Sequence, residues 1–202
     1  AEPRISNAPG SAGASPSRVE PGRELARPRF LAEQVVSPID VGTATHLVLM
    51  HFDFASDQID DQIESMVDRR LITAAQAAAV DRDAIRWLLG TELGGLLRAN
   101  ATRLRREVPV HFAAPAPALP DSRDPYDRVM IRGRIDLLIA DPAGLSLIDY
   151  KTDNLPAEAV PARAADYAPQ LAQYRTALEQ ITRAPVRASH LVFLKPRIIA
   201  ST

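Results

Sequence analysis

Residues 131–152 constrain the fold more than any other part of this chain. Ile131-Arg132-Gly133-Arg134-Ile135-Asp136-Leu137-Leu138-Ile139 and Leu145-Ser146-Leu147-Ile148-Asp149-Tyr150-Lys151-Thr152 are strand-like runs, and Asp141-Pro142-Ala143-Gly144 stands between them. Asp first, Pro second and Gly fourth is the order a type I turn favours, so the two runs are predicted to pair as an antiparallel hairpin. Alternation puts Ile131, Gly133, Ile135, Leu137 and Ile139 on one face and Arg132, Arg134 and Asp136 on the other. A symmetric loop pairs Asp141 with Gly144 and Ala140 with Leu145, and that register carries inward until Asp136 faces Asp149.

Cross-strand β-carbons stand roughly 4.5–5.5 Å apart, so two facing carboxylates repel unless something compensates them. A divalent cation does so, and Mg²⁺ or Mn²⁺ are hard ions that take oxygen ligands. Lys151, two residues past Asp149, projects from the same face, and the Tyr150 carbonyl offers another oxygen. The plainer reading makes both aspartates solvated residues on the outer face of a hairpin, with Arg134 and Lys151 as ion-pair partners. Against it stand the apolar surroundings of the second strand and a register that joins acid to acid.

Composition narrows the chemistry further. The chain has no cysteine, which excludes disulfides, thiolate zinc sites and iron–sulfur clusters and leaves oxygen and imidazole as metal ligands. With 24 basic and 25 acidic residues the formal charge is −1, so a polyanion would need a local patch or a metal. Lys151 and Lys195 are the only lysines in a chain that otherwise uses Arg, which singles out the positions that kept Lys. No apolar run approaches the roughly 18 residues that cross a bilayer, and no charged segment precedes an apolar one at the start. The first residue is Ala, as in a piece of a longer chain or a mature secreted protein. At 202 residues the chain is long enough for one globular domain with a core.

Residues 1–26, rich in Pro, Gly, Ser and Ala, read as a linker or flexible leader, and residues 27–202 as the folded domain. Ser37-Pro38-Ile39-Asp40 has the features of a helix start, and an almost wholly apolar helix follows to about Phe54, taking His46 into the interior. Helices are expected over residues 57–70, 74–89 and 92–100, and strands over 106–112, 129–140 and 145–152, with a Pro/Ala loop over 113–125. A loop carrying Pro156 and Pro161 leads to a helix from about Tyr167 to Thr182, and residues 188–194 form a last strand. The expected core is a mainly antiparallel sheet.

Four patterns, in this order and spacing, resemble the PD-(D/E)XK nucleases, and within them the RecB-type branch at the C-terminus of RecB and AddA helicase–nucleases. The spaced acid with Asp149-Tyr150-Lys151 is similar to the family signature. Gly42-Thr43-Ala44-Thr45-His46 resembles its Gly-x-x-x-His on an early helix, Gly133-Arg134-Ile135-Asp136 its Gly-x-Ile-Asp, and Gln170-Leu171-Ala172-Gln173-Tyr174 its Gln-x-x-x-Tyr. Glu107 resembles an acidic strand residue of the AddA group. AddB-type members need four cysteines, so the likeness is to AddA or RecB.

The resemblance implies an α/β (α+β) fold, a restriction-endonuclease-like mixed sheet flanked by helices with an N-terminal helical portion. It implies Asp136, Asp149, His46 and the Tyr150 carbonyl as ligands of Mg²⁺ or Mn²⁺, Lys151 as the group that orients the attacking water, and Gln170 and Tyr174 as residues that touch DNA or steady Lys151. The activity implied is metal-dependent DNA hydrolysis of exonuclease type, in the C-terminal part of a cytoplasmic, nucleoid-associated bacterial enzyme that processes double-strand breaks for recombinational repair. The partners implied are DNA, an N-terminal ATP-dependent helicase region outside this chain and an AddB-like subunit, with no membrane. No Walker A sequence is present, so this chain is not itself the motor. The other readings are a non-catalytic DNA- or subunit-binding module of the same fold, and a stand-alone nuclease.

Several residues keep a plainer alternative. His46 also fits a neutral imidazole bonded inside the core, and Tyr174 lies on the stripe Tyr167, Leu171, Tyr174, Leu178, Ile181, which suits core packing. Arg98, Arg103, Arg105 and Arg106 form a local basic run that could contact DNA phosphates or simply be a solvated helix end. Asp57, Asp60, Asp61, Glu64 and Asp68 read as an exposed acidic face or an interface. His51, His111 and His190 are expected to be structural or surface residues.

Overall fold

The computed structural model describes residues 38–115 and 128–202. The leader expected over 1–26, the cap expected at Ser37 and most of the loop expected over 113–125 lie outside them. Helix α1 (Pro38–His51) opens at the predicted Pro. It stops short of Phe54 because the next backbone donors go elsewhere: Asp53 N–H donates to Gln62 Oε1 at 2.7 Å, and Ala55 N–H to Asp53 Oδ1 at 2.9 Å. Phe52 and Phe54 are nonetheless buried and meet edge to face at 5.3 Å.

Four short helices follow: α2 (Ile59–Asp68), α3 (Ala74–Ala79), α4 (Arg82–Leu89) and α5 (Glu92–Ala99). The single helix expected over residues 74–89 is two. Asp81 takes an extended conformation and its carboxylate accepts the Ala84 N–H at 3.0 Å, so it starts a new helix where continuation would leave that donor to a carbonyl. Asp81→Ala is expected to lower stability by about 1 kcal/mol, read as a shift of the urea midpoint.

The sheet comprises β1 (Leu104–Pro115), β2 (Arg128–Asp141), β3 (Gly144–Lys151), β4 (Val186–Phe193) and β5 (Ile198–Ser201), in that spatial order. Neighbours are antiparallel except β3 and β4, which are parallel and therefore need a crossover. Helix α6 (Val160–Thr182) supplies it. The helix begins seven residues before the expected Tyr167, because Pro161 lies in its first turn, where a missing N–H costs nothing.

Both faces of the sheet are covered. Helices α1 to α5 bury one face with Leu137, Ile139, Ile148, Tyr150, Val192 and Leu194. Helix α6 buries the other through Leu171, Tyr174, Ala177 and Leu178, packed with Ile135, Leu138, Leu147, Leu191 and Phe193. Ile181, expected on the buried stripe of α6, is exposed.

The hairpin register is the predicted one, with Asp141 facing Gly144 and pairing running to Leu137 with Ile148. Its faces differ from simple alternation. Leu137 and Ile139 pack under α1–α5, whereas Ile135 packs under α6. The same switch occurs on β1, where Leu104 belongs to the first core and Val108, Val110 and Phe112 to the second. Between Arg106↔Leu137 and Val108↔Ile135 the ladder skips one position on each strand, Glu107 and Asp136. Glu107 has φ +52°, a left-handed conformation that is strained for a residue with a β-carbon. One strained residue thus turns the two-stranded ribbon over and leaves an acid at the fold in each strand.

Candidate active site

Strands β2 and β3 part where the ribbon turns over. The carboxylate of Asp136, rather than a backbone carbonyl, takes the Tyr150 N–H, at 2.7 Å. Strand β3 continues past this point only because β4 holds its other edge, through Asp149↔Leu191, Tyr150↔Val192 and Lys151↔Phe193. The last three residues of β3 are therefore fixed on one side and open on the other. The predicted acids meet at this opening.

Asp149 is 4% exposed, and Lys151 Nζ lies 2.5 Å from its Oδ2. That approach is off the line of a hydrogen bond, and Oδ2 is buried without a hydrogen-bond donor. The oxygen is charge-compensated but not hydrogen-bonded, an unusual condition for a buried carboxylate. Asp136 is pushed up to about 6 by its burial first and by the Asp149 charge second, with His46 and the Tyr150 N–H opposing and Glu107 adding to the rise. A carboxyl held back from ionising beside a second, buried carboxylate offers a place for a cation.

His46, from α1, enters from the other core. Its Nε2 stands 3.2 Å from the Tyr150 carbonyl. A carbonyl only accepts, so Nε2 carries the proton, and in the neutral ring the Nδ1 lone pair is free. Nδ1 is 3.9 Å from Asp136 Oδ1, beyond a hydrogen bond, so this ring nitrogen and the carboxylate stand at one place without bonding each other. An unbonded buried oxygen, a raised carboxyl and an imidazole nitrogen beside it that makes no hydrogen bond together fit a divalent ion with mixed oxygen and nitrogen ligands. Among the described residues no three His, Asp or Glu side chains are close enough to form a complete cation site on their own, so backbone or substrate oxygens would complete the set.

Glu107 is drawn to the same place by the strained turn of β1. Its Oε2 accepts from Arg134 Nη1 at 3.1 Å. Tyr150 contributes its carbonyl and N–H to the site, while its phenol is turned into the core without a partner. Burial, then the Asp136 charge, raise that phenol above its ordinary range.

Gln170 and Tyr174 form a unit with Gly133 rather than with Lys151. Tyr174 Oη accepts from Gln170 Nε2 at 3.0 Å and from the Arg134 N–H at 3.3 Å. A β-carbon on Gly133 would collide with Tyr174 Oη and the edge of its ring, so only glycine lets the phenol reach the strand two residues before Asp136. The glycine and tyrosine patterns noted separately in the sequence are two halves of one contact. Gly133→Ala is expected to destabilise the chain by about 2 kcal/mol through overpacking, with Tyr174→Phe much milder, both read by urea unfolding.

The basic run divides. Arg98, Arg103 and Arg105 are exposed, whereas Arg106 is turned inward: Nη2 donates to the Phe52 carbonyl at 2.8 Å and the guanidinium lies 5.7 Å from the Phe54 ring centroid. Arg106 thus ties the end of α1 to β1 and does not join the others. The residues that sequence reasoning missed are Tyr167, Arg163 and Asp153. Tyr167 stands over Lys151, its ring centroid 4.0 Å from Nζ. Its only sequence signal was its place on the apolar stripe of α6.

Buried Asp149, half-buried Asp136 and Lys151 thus lie at one opening where two interior strands of a five-stranded mixed sheet part, and comparison with known proteins gives the family. Residues 18–200 match the model of the PD-(D/E)XK nuclease superfamily, and the chain belongs to that family. Its relatives include the A subunit of the ATP-dependent helicase/nuclease of Geobacillus kaustophilus, 37% identical over 83% of this chain. The proteins of the same name from Moorella thermoacetica and Desulforudis audaxviator are 34% and 38% identical over 90% and 82% of it. The chain spans only 13–14% of the length of these three relatives. No helix among the described residues is long and apolar enough to cross a membrane.

Proposed function

We propose that this chain is a metal-dependent DNA nuclease domain, working as the nuclease part of a helicase–nuclease that processes double-strand breaks. The observation that supports it most is the buried Asp149 oxygen that is compensated by Lys151 but not hydrogen-bonded, beside a second carboxyl pushed up in pKa. Asp136, Asp149, His46 and the Tyr150 carbonyl would hold Mg²⁺ or Mn²⁺. A divalent ion held there supplies a nucleophilic water at neutral pH and neutralises charge on the phosphoryl oxygens.

The chain's own groups do the rest. Lys151 points its ammonium at the same opening and offers a proton and a positive charge to the attacked phosphodiester. Asp136, fixed by the Tyr150 N–H, and Asp149, fixed by β4, present their oxygens with little freedom to reorganise, which lowers the entropy cost of assembling the reacting groups. Arg98, Arg103 and Arg105, all exposed, are candidates for the phosphates further along the strand and would make binding fall with salt. A non-catalytic module has no need for Asp136, Asp149 and Lys151 together at one opening. The partners this reading implies are the helicase region and an AddB-like subunit, and its location is the bacterial cytoplasm.

The reading is tested with the purified chain on end-labelled single-stranded DNA, linear duplex and covalently closed circular duplex, with Mg²⁺, Mn²⁺ or chelator. Loss of the linear substrates with metal alone, and survival of the circle, is the expected outcome for an exonuclease-type enzyme. Nicking of the circle would make it an endonuclease. Equal cutting with chelator would refute the metal.

A further inference from the structure

Lys151 has two contacts, and the proposed chemistry weakens one of them. Its side chain is 14% exposed and held between Asp149 Oδ2 at 2.5 Å and the face of Tyr167, with Nζ 4.0 Å from the ring centroid. When Asp149 shares its charge with a divalent cation, its pull on the ammonium falls and the cation itself repels Lys151. The aromatic face is then the contact that remains.

That face is firmly set. Tyr167 lies on α6, and its ring packs 6.3 Å from the ring of Phe193, the residue that pairs with Lys151 across β3 and β4. At the phenol end, Arg163 Nη2 donates to Tyr167 Oη at 2.7 Å, and the hydroxyl donates to Asp153 Oδ2 at 3.2 Å. Arg163 Nε also donates to Asp153 Oδ1 at 2.9 Å, closing a triangle, and its guanidinium lies 4.5 Å from the ring centroid. Asp153 is two residues beyond Lys151, so the strand end that carries the lysine also anchors the ring above it.

We propose that Tyr167 is a positioning residue for Lys151: its ring, packed on Phe193, is the seat that keeps the ammonium at the reacting phosphodiester once Asp149 is engaged by the cation. The role rests on the nuclease reading above, but the contact itself is measurable without cleavage. An ammonium over a ring is held by the ring quadrupole, and the methylene beside it lies in the ring's shielding cone.

The test uses the two lysines of the chain. In protein labelled with ¹³C-lysine, the Lys151 ε-methylene is expected upfield of Lys195, which serves as the internal reference. Tyr167→Phe keeps that shift and Tyr167→Leu abolishes it. In metal-dependent cleavage, Tyr167→Leu is expected to lower kcat about tenfold, the range of one desolvated cation–π contact, with KM and the metal concentration for half-maximal rate unchanged. Tyr167→Phe restores most of the rate. A wild-type Lys151 signal without an upfield shift overturns the seat whether or not Tyr167→Leu folds. So does a wild-type chain that cuts DNA and a Tyr167→Leu variant that turns over as fast. A wild-type chain that cuts nothing while Lys151 is ring-shifted removes the nuclease reading and leaves the seat in place.

Discussion

Lys151→Ala is expected to cut DNA about 10²–10³-fold more slowly than the wild-type chain while remaining folded, the cost of removing one preorganised charge from a developing phosphoryl charge. The lysine sits on the last residue of β3, where β4 supports the backbone and the side chain points into the opening. Its removal deletes charge at the reaction centre and also takes the counter-ion from buried Asp149, so the variant is expected to unfold at lower urea than the wild type while staying folded in its absence. Metal binding is expected to persist or tighten, because Lys151 competes with a cation for Asp149. Activity would be read as initial rates on end-labelled linear DNA and metal affinity by calorimetry. Cleavage within a few-fold of wild type would remove Lys151 from the mechanism.

The second large effect is on the metal-free protein. Asp136 is raised from an ordinary 3.8 to about 6. Between those values the folded chain holds a proton that the unfolded chain has released, so the unfolded state binds fewer protons and stability falls as pH rises. The favourable contribution is complete below about pH 4, shrinks to nothing as pH rises towards 6 and leaves the ionised site about 3 kcal/mol less stable. Other carboxylates titrate over the same window, so the informative quantity is the stability of wild type minus that of Asp136→Asn, measured in urea with chelator at pH 4, 5 and 7. That difference should fall by about 3 kcal/mol across the series, and a divalent cation at pH 7 should restore it. A flat difference would mean that Asp136 ionises freely and is not strained by Asp149.

Where local chemistry decided the structure, it was legible in the sequence. The turn residues of Asp141-Pro142-Ala143-Gly144 fixed the hairpin register, with Asp141 Oδ1 accepting from the Ala143 and Gly144 N–H groups at 2.7 and 3.1 Å. The ladder stops at Leu137 with Ile148, one step short of the expected Asp136–Asp149 pair, and Asp136 turns its carboxylate to the Tyr150 N–H at the parted end instead. Pro38 marked a helix start because proline is suited to a first turn, and Pro161 did the same for α6 although it had suggested a loop. The strand β5 was missed because Ile198–Ser201 is only four residues long and pairs with β4 through tertiary context.

The turnover at Glu107 had no such signature. A glutamate at φ +52° is imposed by the two cores on opposite faces of the sheet, and composition cannot announce it. Alternation alone put Ile135 with Leu137, and the structure separates them. Arg106 looked like its basic neighbours and proved to be an internal tie between α1 and β1. Tyr167 was hidden by a sound rule: an aromatic residue on an apolar helical stripe is usually core. Only the position of Lys151 beneath it shows a second use.

The central claim, that Asp136, Asp149 and Lys151 form one metal-dependent hydrolytic site, is tested most directly by titrating Mn²⁺ into the wild-type chain and Asp149→Asn while following loss of end-labelled linear DNA. Asp149→Asn keeps the shape of the buried side chain and removes its charge. The account predicts saturable, chelator-reversible cleavage by the wild type and no Mn²⁺-dependent cleavage by the variant within the same concentration range. Equal cleavage by both proteins at every Mn²⁺ concentration would contradict it.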